Sequence, residues 1–300
     1  MKRCLWIVAV LASTFACSGE REGLVIGSKN FSEQIVLAEI MAQQIERRTD
    51  ITVERRLNLG GTIVCHRALV AGQIDLYPEY TGTSFVVILR EKVISEPRVV
   101  YERVKAEYDE RFQVAVGQPF GFENTYALLI RGEDAKRLGA TTLSDIVPHS
   151  ASWQAGVGHE FIERADGYSG LVETYGLRFD TPPLAMDLNL VYRAIEEGKV
   201  DLIVGNSTDA RIVSLDLVQL TDDRGYFPPY EAVPMVRKET LARYPEIAPA
   251  LAELAGTITT DEMRRMNYQV DVEHQDAAQV AKEFLDGLET TEAAGAGSNC

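Results

Sequence analysis

Residues 67–82, RALVAGQIDLYPEYTG, and residues 193–208, RAIEEGKVDLIVGNST, align without a gap. Arg, Ala, a branched apolar residue, Gly, and then an apolar–Asp–Leu run recur in the same register. Each copy reads as the end of a helix, a Gly that caps it, and a buried strand running into a loop. A chain that carries this unit twice is constrained to an α/β architecture with an equivalent unit in each of two lobes. In open α/β sheets, ligands bind beyond the carboxyl ends of the strands. Both post-strand segments are therefore expected to face one cleft, with Tyr80 and Asn206 at matching places.

The remaining segments fit that frame. LVIGSKNFSEQIVLAEIMAQQIERR starts as a strand, Leu24–Gly27, and turns into a helix. The spacing predicts Asn30 as its cap, a capping-box bond returned by Glu33, and one apolar face of Ile35, Ala38, Ala42 and Ile45. ITVERRLNL alternates as a half-buried strand, Gly60 and Gly61 break it, and Thr62 opens the next helix. Strands alternating with helices predict a mostly parallel sheet. GFENTYALLIRGED (121–134) reads as one crossover between lobes. RGYFPPYEAVPMVR (224–237) reads as the return, with Pro228 and Pro229 at the crossing. The first lobe is then 22–124 plus 230–288, whose helical end packs back on it, and the second lobe is 125–229. Residues 289–300 are expected to be a flexible tail. Two crossings make a hinge with a cleft, a favoured place for a ligand.

The first 17 residues, two of them basic ahead of an apolar run, have the form of an export signal. Cys17 resembles the lipid-acceptor Cys of bacterial lipoproteins. The expected location is periplasmic or on the outer face of the cytoplasmic membrane, held by a lipid anchor. Past residue 17 no apolar run is long enough to span a bilayer. A net charge of −15 argues against nucleic acid as a partner. Cys4, Cys65 and Cys300 show no framework spacing, so no structural disulfide is expected, and Cys65 reads as a buried apolar residue.

Catalytic patterns are scarce. The four histidines form no HExxH, and CxxC, Walker, GxSxG and GxGxxG motifs do not occur. No enzyme activity, metal or cofactor is expected. Aromatic residues instead fall in what read as loops: Tyr77 and Tyr80, Phe122 and Tyr126, then Tyr226, Phe227 and Tyr230. The electron-rich faces of such rings attract quaternary ammonium groups. Lys29 and Arg164 lie at loop positions, where Arg164 can pair bidentately with a ligand carboxylate. A box of this kind suits a zwitterion.

GSKNFSEQ, LGGT, DLYPEYTGT, FENTYAL, ERADGYSGL, VDLIVGNSTDAR, DDRGYFPPYEA and MNYQVDVE, in this order, resemble the substrate-binding proteins of ABC importers for glycine betaine, choline and carnitine. VGNSTDAR with ERADGYSGL is closest to an osmotic-stress-associated subgroup. The resemblance implies a two-lobed periplasmic-binding-protein fold of type II. It also implies a monomer that captures a small zwitterion and delivers it to a membrane permease with its ATPase. Carried over residue by residue, it makes Tyr80, Tyr126 and Tyr230 walls of an aromatic cage. Lys29, Thr83 and Arg164 become holders of a ligand carboxylate. The fourth wall falls at Asn206, a departure from Tyr. Tyr77, Tyr168 and Phe227 are candidates to replace it, and Tyr77 fits the first lobe's core equally well. The alternatives are a binding protein for a different polar zwitterion, a sensory binding protein, or an enzyme on the same fold.

Overall fold

The computed structural model describes residues 23–297. The signal-like segment, Cys4, Cys17 and Cys300 lie outside the described residues. The chain first lays down β1 (Leu24–Gly27), β2 (Val53–Arg56), β3 (Leu76–Tyr80) and β4 (Val114–Val116). It then builds β5 (Tyr126–Arg131), β6 (Ala155–Gly158), β7 (Leu184–Met186), β8 (Leu202–Asn206) and β9 (Leu217–Gln219), and returns as β10 (Ala232–Arg237). These strands form two five-stranded sheets, ordered β2-β1-β3-β10-β4 and β7-β6-β8-β5-β9.

The two sheets are built alike. β1 runs parallel to β2 and β3, as β6 does to β7 and β8. The strand entering each sheet from a crossover, β10 or β5, runs antiparallel to both of its neighbours. The sheets are therefore mixed, not mostly parallel as expected. A strand arriving from the opposite lobe enters at the cleft end and must run against the strands that point toward it. Glu123 and Glu231 pair across the two crossovers, which run side by side between the lobes.

The internal echo is a structural one. Helix Thr62–Val70 leads through Gly72 (φ +69°) into β3, and helix Leu188–Glu196 leads through Gly198 (φ +67°) into β8. Tyr80 and Asn206 end the two strands. Tyr77 and Tyr80 thus belong to a strand and not to the loop expected for them. β3 accommodates Pro78 because it meets β1 at Leu76, ahead of the proline, and pairs Pro78 with Pro234 on β10. Tyr77 is fully buried with Val25, Cys65, Val104 and Tyr108, so it is a core residue of the first lobe.

The first helix, Ser32–Arg48, is more deeply buried than a one-faced helix. Ala38, Ala42 and Ile45 are buried, Ile35 is half-buried, and Val36, Leu37, Ile40 and Met41 are buried on other sides. The helical end of the chain covers it, with Gln44 Nε2 donating to Ala250 O (3.2 Å) and Gln43 Nε2 to Ala278 O (2.8 Å). That end also touches the second lobe, where Arg264 donates to Ser207 O at 2.8 Å. The last helix, Ala277–Gly297, takes in most of the segment expected to be a tail. The expected capping box is absent. Phe31 is the N-cap, no side chain caps the helix, and Glu33 turns inward, where stronger donors meet it. Among the described residues, no helix is long and apolar enough to cross a membrane.

Candidate functional site

A cavity of about 520 Å³ opens between the lobes at the carboxyl ends of β3 and β8. Lys29, Tyr80, Thr83, Tyr126, Arg164, Asn206 and Tyr230 all line it. Lys29 follows β1, Tyr80 ends β3, Tyr126 opens β5, Asn206 ends β8, and Tyr230 lies on the return crossover. Arg164 follows the short helix His159–Glu163. Gly82 lets the segment after β3 lie close to the return crossover. A Cβ there would stand 2.6 Å from Pro229 O and 2.8 Å from Tyr230 Cδ1. Thr81 Oγ1 holds the same contact by donating to Pro229 O at 3.1 Å.

Each cation of the site already has a buried partner. Lys29 Nζ donates to Glu79 and stands 4.9 Å from the centre of the Tyr80 ring. Arg164 donates through Nε and Nη2 to Asp166 at 2.7 and 2.6 Å. Its guanidinium carbon lies 5.3 Å from the Tyr126 ring centre and 5.9 Å from that of Tyr230. Distances under about 6 Å are within cation–π range. The bidentate face of Arg164, expected for a ligand carboxylate, is therefore taken by Asp166. The remaining edge, Nη1, makes a longer bond of 3.4 Å to the exposed Glu160.

Two of the three tyrosines, Tyr80 and Tyr230, are tied by their hydroxyls. Tyr230 donates to Asp166, which is fully buried, and Tyr80 donates to Glu33 at 2.6 Å. Glu33 accepts three further bonds: from Asn124 Nδ2 (2.8 Å), Thr208 Oγ1 (2.5 Å) and Asn267 Nδ2 (2.9 Å). Burial pushes the Glu33 carboxyl above the ordinary carboxylate range, and these four bonds act in the other direction. Burial also drives the Tyr80 and Tyr230 hydroxyls well above the usual phenol range, so both stay protonated donors.

The three residues proposed to replace the missing wall do not line this cavity. Tyr77 is in the core. Tyr168 packs on Phe179 with ring centres 6.1 Å apart, and Phe227 stands behind Tyr126 at 5.8 Å. The aromatic rings that do line it beside the three tyrosines are Phe31, Phe161 and His159. Phe31 lies nearly parallel to Tyr80, with ring centres 6.5 Å apart, and Phe161 is 4.7 Å from Tyr126. Glu33, Glu79, Asp166, Phe31 and Phe161 were not picked out as site residues from the sequence. A signal existed for two of them: Glu79 directly precedes Tyr80, and Asp166 lies two residues beyond Arg164.

Among the described residues, no cluster of His, Cys, Asp and Glu is arranged to hold a metal ion. Cys65 is a free, buried thiol.

Comparison with known proteins agrees with this geometry. The family described as the substrate-binding domain of ABC-type glycine betaine transport systems matches residues 22–287. An ergothioneine transport permease/ergothioneine-binding protein of Helicobacter pylori is 38% identical over 270 residues, covering 90% of this chain. The chain spans about half of that relative, 48% of its length. A glycine-betaine-binding protein of Pseudomonas aeruginosa is 36% identical over 293 residues, covering 94% of this chain and 92% of the relative. Among solved structures, a glycine betaine/carnitine/choline ABC transporter structure superposes with a TM-score of 0.78 at 33% identity, covering 88% of this chain and 98% of its own. A two-lobed α/β chain with its polar and aromatic residues gathered at the inter-lobe cleft belongs, on these matches, to the family of substrate-binding domains of ABC-type glycine betaine transport systems.

Proposed function

We propose that this chain is the extracytoplasmic binding protein of an ABC importer, and that its cleft captures a small trimethylammonium solute for delivery to the permease. The observation that carries this reading is the convergence of Tyr80, Tyr126 and Tyr230, from three separate segments, with Lys29, Thr83 and Arg164 around one cavity. The tyrosine faces suit the methylated ammonium. Lys29 Nζ, Thr83 and the Nη1 edge of Arg164 suit a carboxylate held close beside the same rings, since Lys29 stands 4.9 Å from the Tyr80 ring centre and the Arg164 guanidinium carbon 5.3 Å from that of Tyr126. Nothing in this arrangement asks for catalysis, and we read the protein as a carrier and not an enzyme. We assign lobe bounds of 22–124 with 230–288 and of 125–229, a monomeric state, export directed by residues 1–17, and a lipid anchor at Cys17. Calorimetric titration with glycine betaine, choline, carnitine and ergothioneine tests the reading, with mass spectrometry of the recovered ligand. Saturable binding of unchanged ligand supports it, and chemical conversion of a ligand would overturn the carrier role.

A second reading of the ligand rests on Asn206. In the register of β5 and β8 it sits directly opposite Tyr126, and offers an amide where a fourth ring would stand. A betaine bearing an extra hydrogen-bonding group fits this wall better than glycine betaine does. The relative named for ergothioneine gives one candidate. Tighter binding of ergothioneine than of glycine betaine in the same titrations would favour this reading.

A further inference from the structure

Both buried tyrosine hydroxyls of the cage donate to carboxylates, but the two carboxylates differ. Asp166 is neutralised by Arg164. Glu33 lines the cavity, is 3% exposed, and is held by four neutral donors. Four donors on two oxygens are the full complement of an ionised carboxylate, which accepts and does not donate. The Nδ2 atoms of Asn124 and Asn267 donate to it, Asn267 Nδ2 also to Thr208 O at 3.0 Å, while their own buried Oδ1 atoms find no partner among the described residues. Asn124, whose Nδ2 donates to Glu33 while its own Oδ1 is left unsatisfied, marks Glu33 as the acceptor it is turned toward. The four donors come from the end of β3, the first crossover, the segment after β8 and the helix Thr260–Asp271. Glu33 is therefore fixed in place by both lobes.

We propose that Glu33 is the residue that makes the cleft select a cationic head group. This inference rests on the trimethylammonium reading above and deepens it. The four bonds favour the ionised form of Glu33 against the burial that raises its proton affinity, and no ion-pair partner meets it among the described residues. Its charge then stands behind Tyr80, at the far end of the hydroxyl from the ring, whose centre lies 4.9 Å from the Lys29 ammonium. A phenol that donates to a carboxylate shifts electron density into its ring, and the ring face then attracts a cation more strongly. The charge itself adds a long-range attraction, strengthened because the site is shielded from water. Neither effect acts on a neutral group of the same shape. Glu33 thereby discriminates charge, while the aromatic walls discriminate size.

The test compares ligands that differ by one atom. Glycine betaine and tert-butylacetic acid share their shape and carboxylate, with N⁺ in the first replaced by carbon in the second. Choline and tert-butylethanol form the same kind of pair. Affinities are measured by calorimetry, directly or by competition, for wild type, Glu33→Gln and Tyr80→Phe. The wild type is expected to prefer the charged member of each pair. Glu33→Gln is expected to narrow that preference by about tenfold or more, on the scale of a desolvated cation–π contact. Tyr80→Phe keeps the ring, cuts its link to Glu33, and is expected to narrow the preference by a smaller factor. If Glu33→Gln weakens both members equally, Glu33 only holds the cleft in shape and the inference is wrong. Should Glu33→Gln fail to fold, as seen by circular dichroism, Tyr80→Phe decides, and an unchanged preference in that variant overturns the proposal. A wild type that binds neither choline nor any betaine refutes the trimethylammonium reading itself, and is thus told apart from a failure of the role given to Glu33.

Discussion

Arg164 grips Asp166 with two parallel bonds, and this leaves Nη1 as the guanidinium edge open to exchange. The partner of that edge is Glu160, four residues back and largely exposed. A ligand carboxylate would have to compete with it. Glu160→Gln should strengthen binding of carboxylate ligands by about two- to fivefold, the scale of an exposed ion pair, and leave choline unaffected. Arg164→Ala should weaken glycine betaine by about tenfold or more and choline much less, since choline has no carboxylate. Titration of both variants with both ligands checks the pair of predictions. Equal effects of Glu160→Gln on the two ligands would place the carboxylate elsewhere; Arg164→Ala also strips the buried Asp166 of its partner, so only its difference between the two ligands is read.

Asn206 faces Tyr126 across β5 and β8, and directly opposed residues have side chains about 5 Å apart. A ring placed at 206 would therefore stand beside the Tyr126 ring at the cavity wall. Asn206→Tyr should raise glycine betaine affinity by about ten- to thirtyfold, one further cation–π contact. Tyr80→Ala should lower it by a similar factor. If a ligand with an extra polar group is the natural one, the same Asn206→Tyr change should weaken that ligand.

Cys65 is fully buried in the core of the first lobe, and burial pushes its thiol up to about 12. A thiol so held has almost no thiolate at neutral pH. Peptide-resolved mass spectrometry after alkylation should find Cys65 unmodified in the folded protein and modified once denaturant is added. Rapid labelling under native conditions would mean that the first lobe opens far more readily than its packing indicates.

His66 packs edge-on against Tyr108 and Phe112, with ring centres 5.6 and 4.7 Å away. Burial lowers its affinity for a proton, and Arg111 and Arg67 lower it further. The unfolded chain takes up this proton near pH 6.5, before the folded chain does. Stability should therefore fall as pH drops below about 6.5, and the loss should stop growing once the folded imidazole is also protonated. Thermal unfolding between pH 8 and 5 should show this decline in the wild type and a shallower one in His66→Gln.

Much of this organisation was legible in the sequence because periodicity and punctuation report backbone geometry. The echo between 67–82 and 193–208 showed where two equivalent strands end, and those ends are where Tyr80 and Asn206 stand. Lys29, Thr83 and Arg164 were found by motif, and each lines the same cavity. The partners of these residues were not legible. Glu33 looked like a helix cap because its spacing from Asn30 fits a local bond. Its actual donors lie 47, 91, 175 and 234 residues away, at distances in sequence that no local pattern reports. Asp166 sits two residues from Arg164, but whether it would grip the guanidinium or point away depends on a fold that buries both. The strand direction of β5 and β10 was missed for a related reason. Periodicity shows that a segment is extended, and the crossover that feeds it decides which way it runs.

We propose that the tyrosine faces of the cleft recognise a methylated ammonium. The most direct measurement is a calorimetric titration of the wild type with trimethylammonium ligands and with their unmethylated parents, glycine betaine against glycine and choline against ethanolamine. A primary ammonium keeps hydrogen bonds to water that a methylated one lacks, so an aromatic wall discriminates strongly between them. Saturable one-to-one binding of at least one methylated ligand is expected, with its parent weaker by about a hundredfold, a difference of roughly 3 kcal/mol. Tyr230→Ala should reduce that binding by about tenfold. Equal binding of methylated and unmethylated ligands, or no binding of any methylated ligand, would contradict recognition by the tyrosine faces.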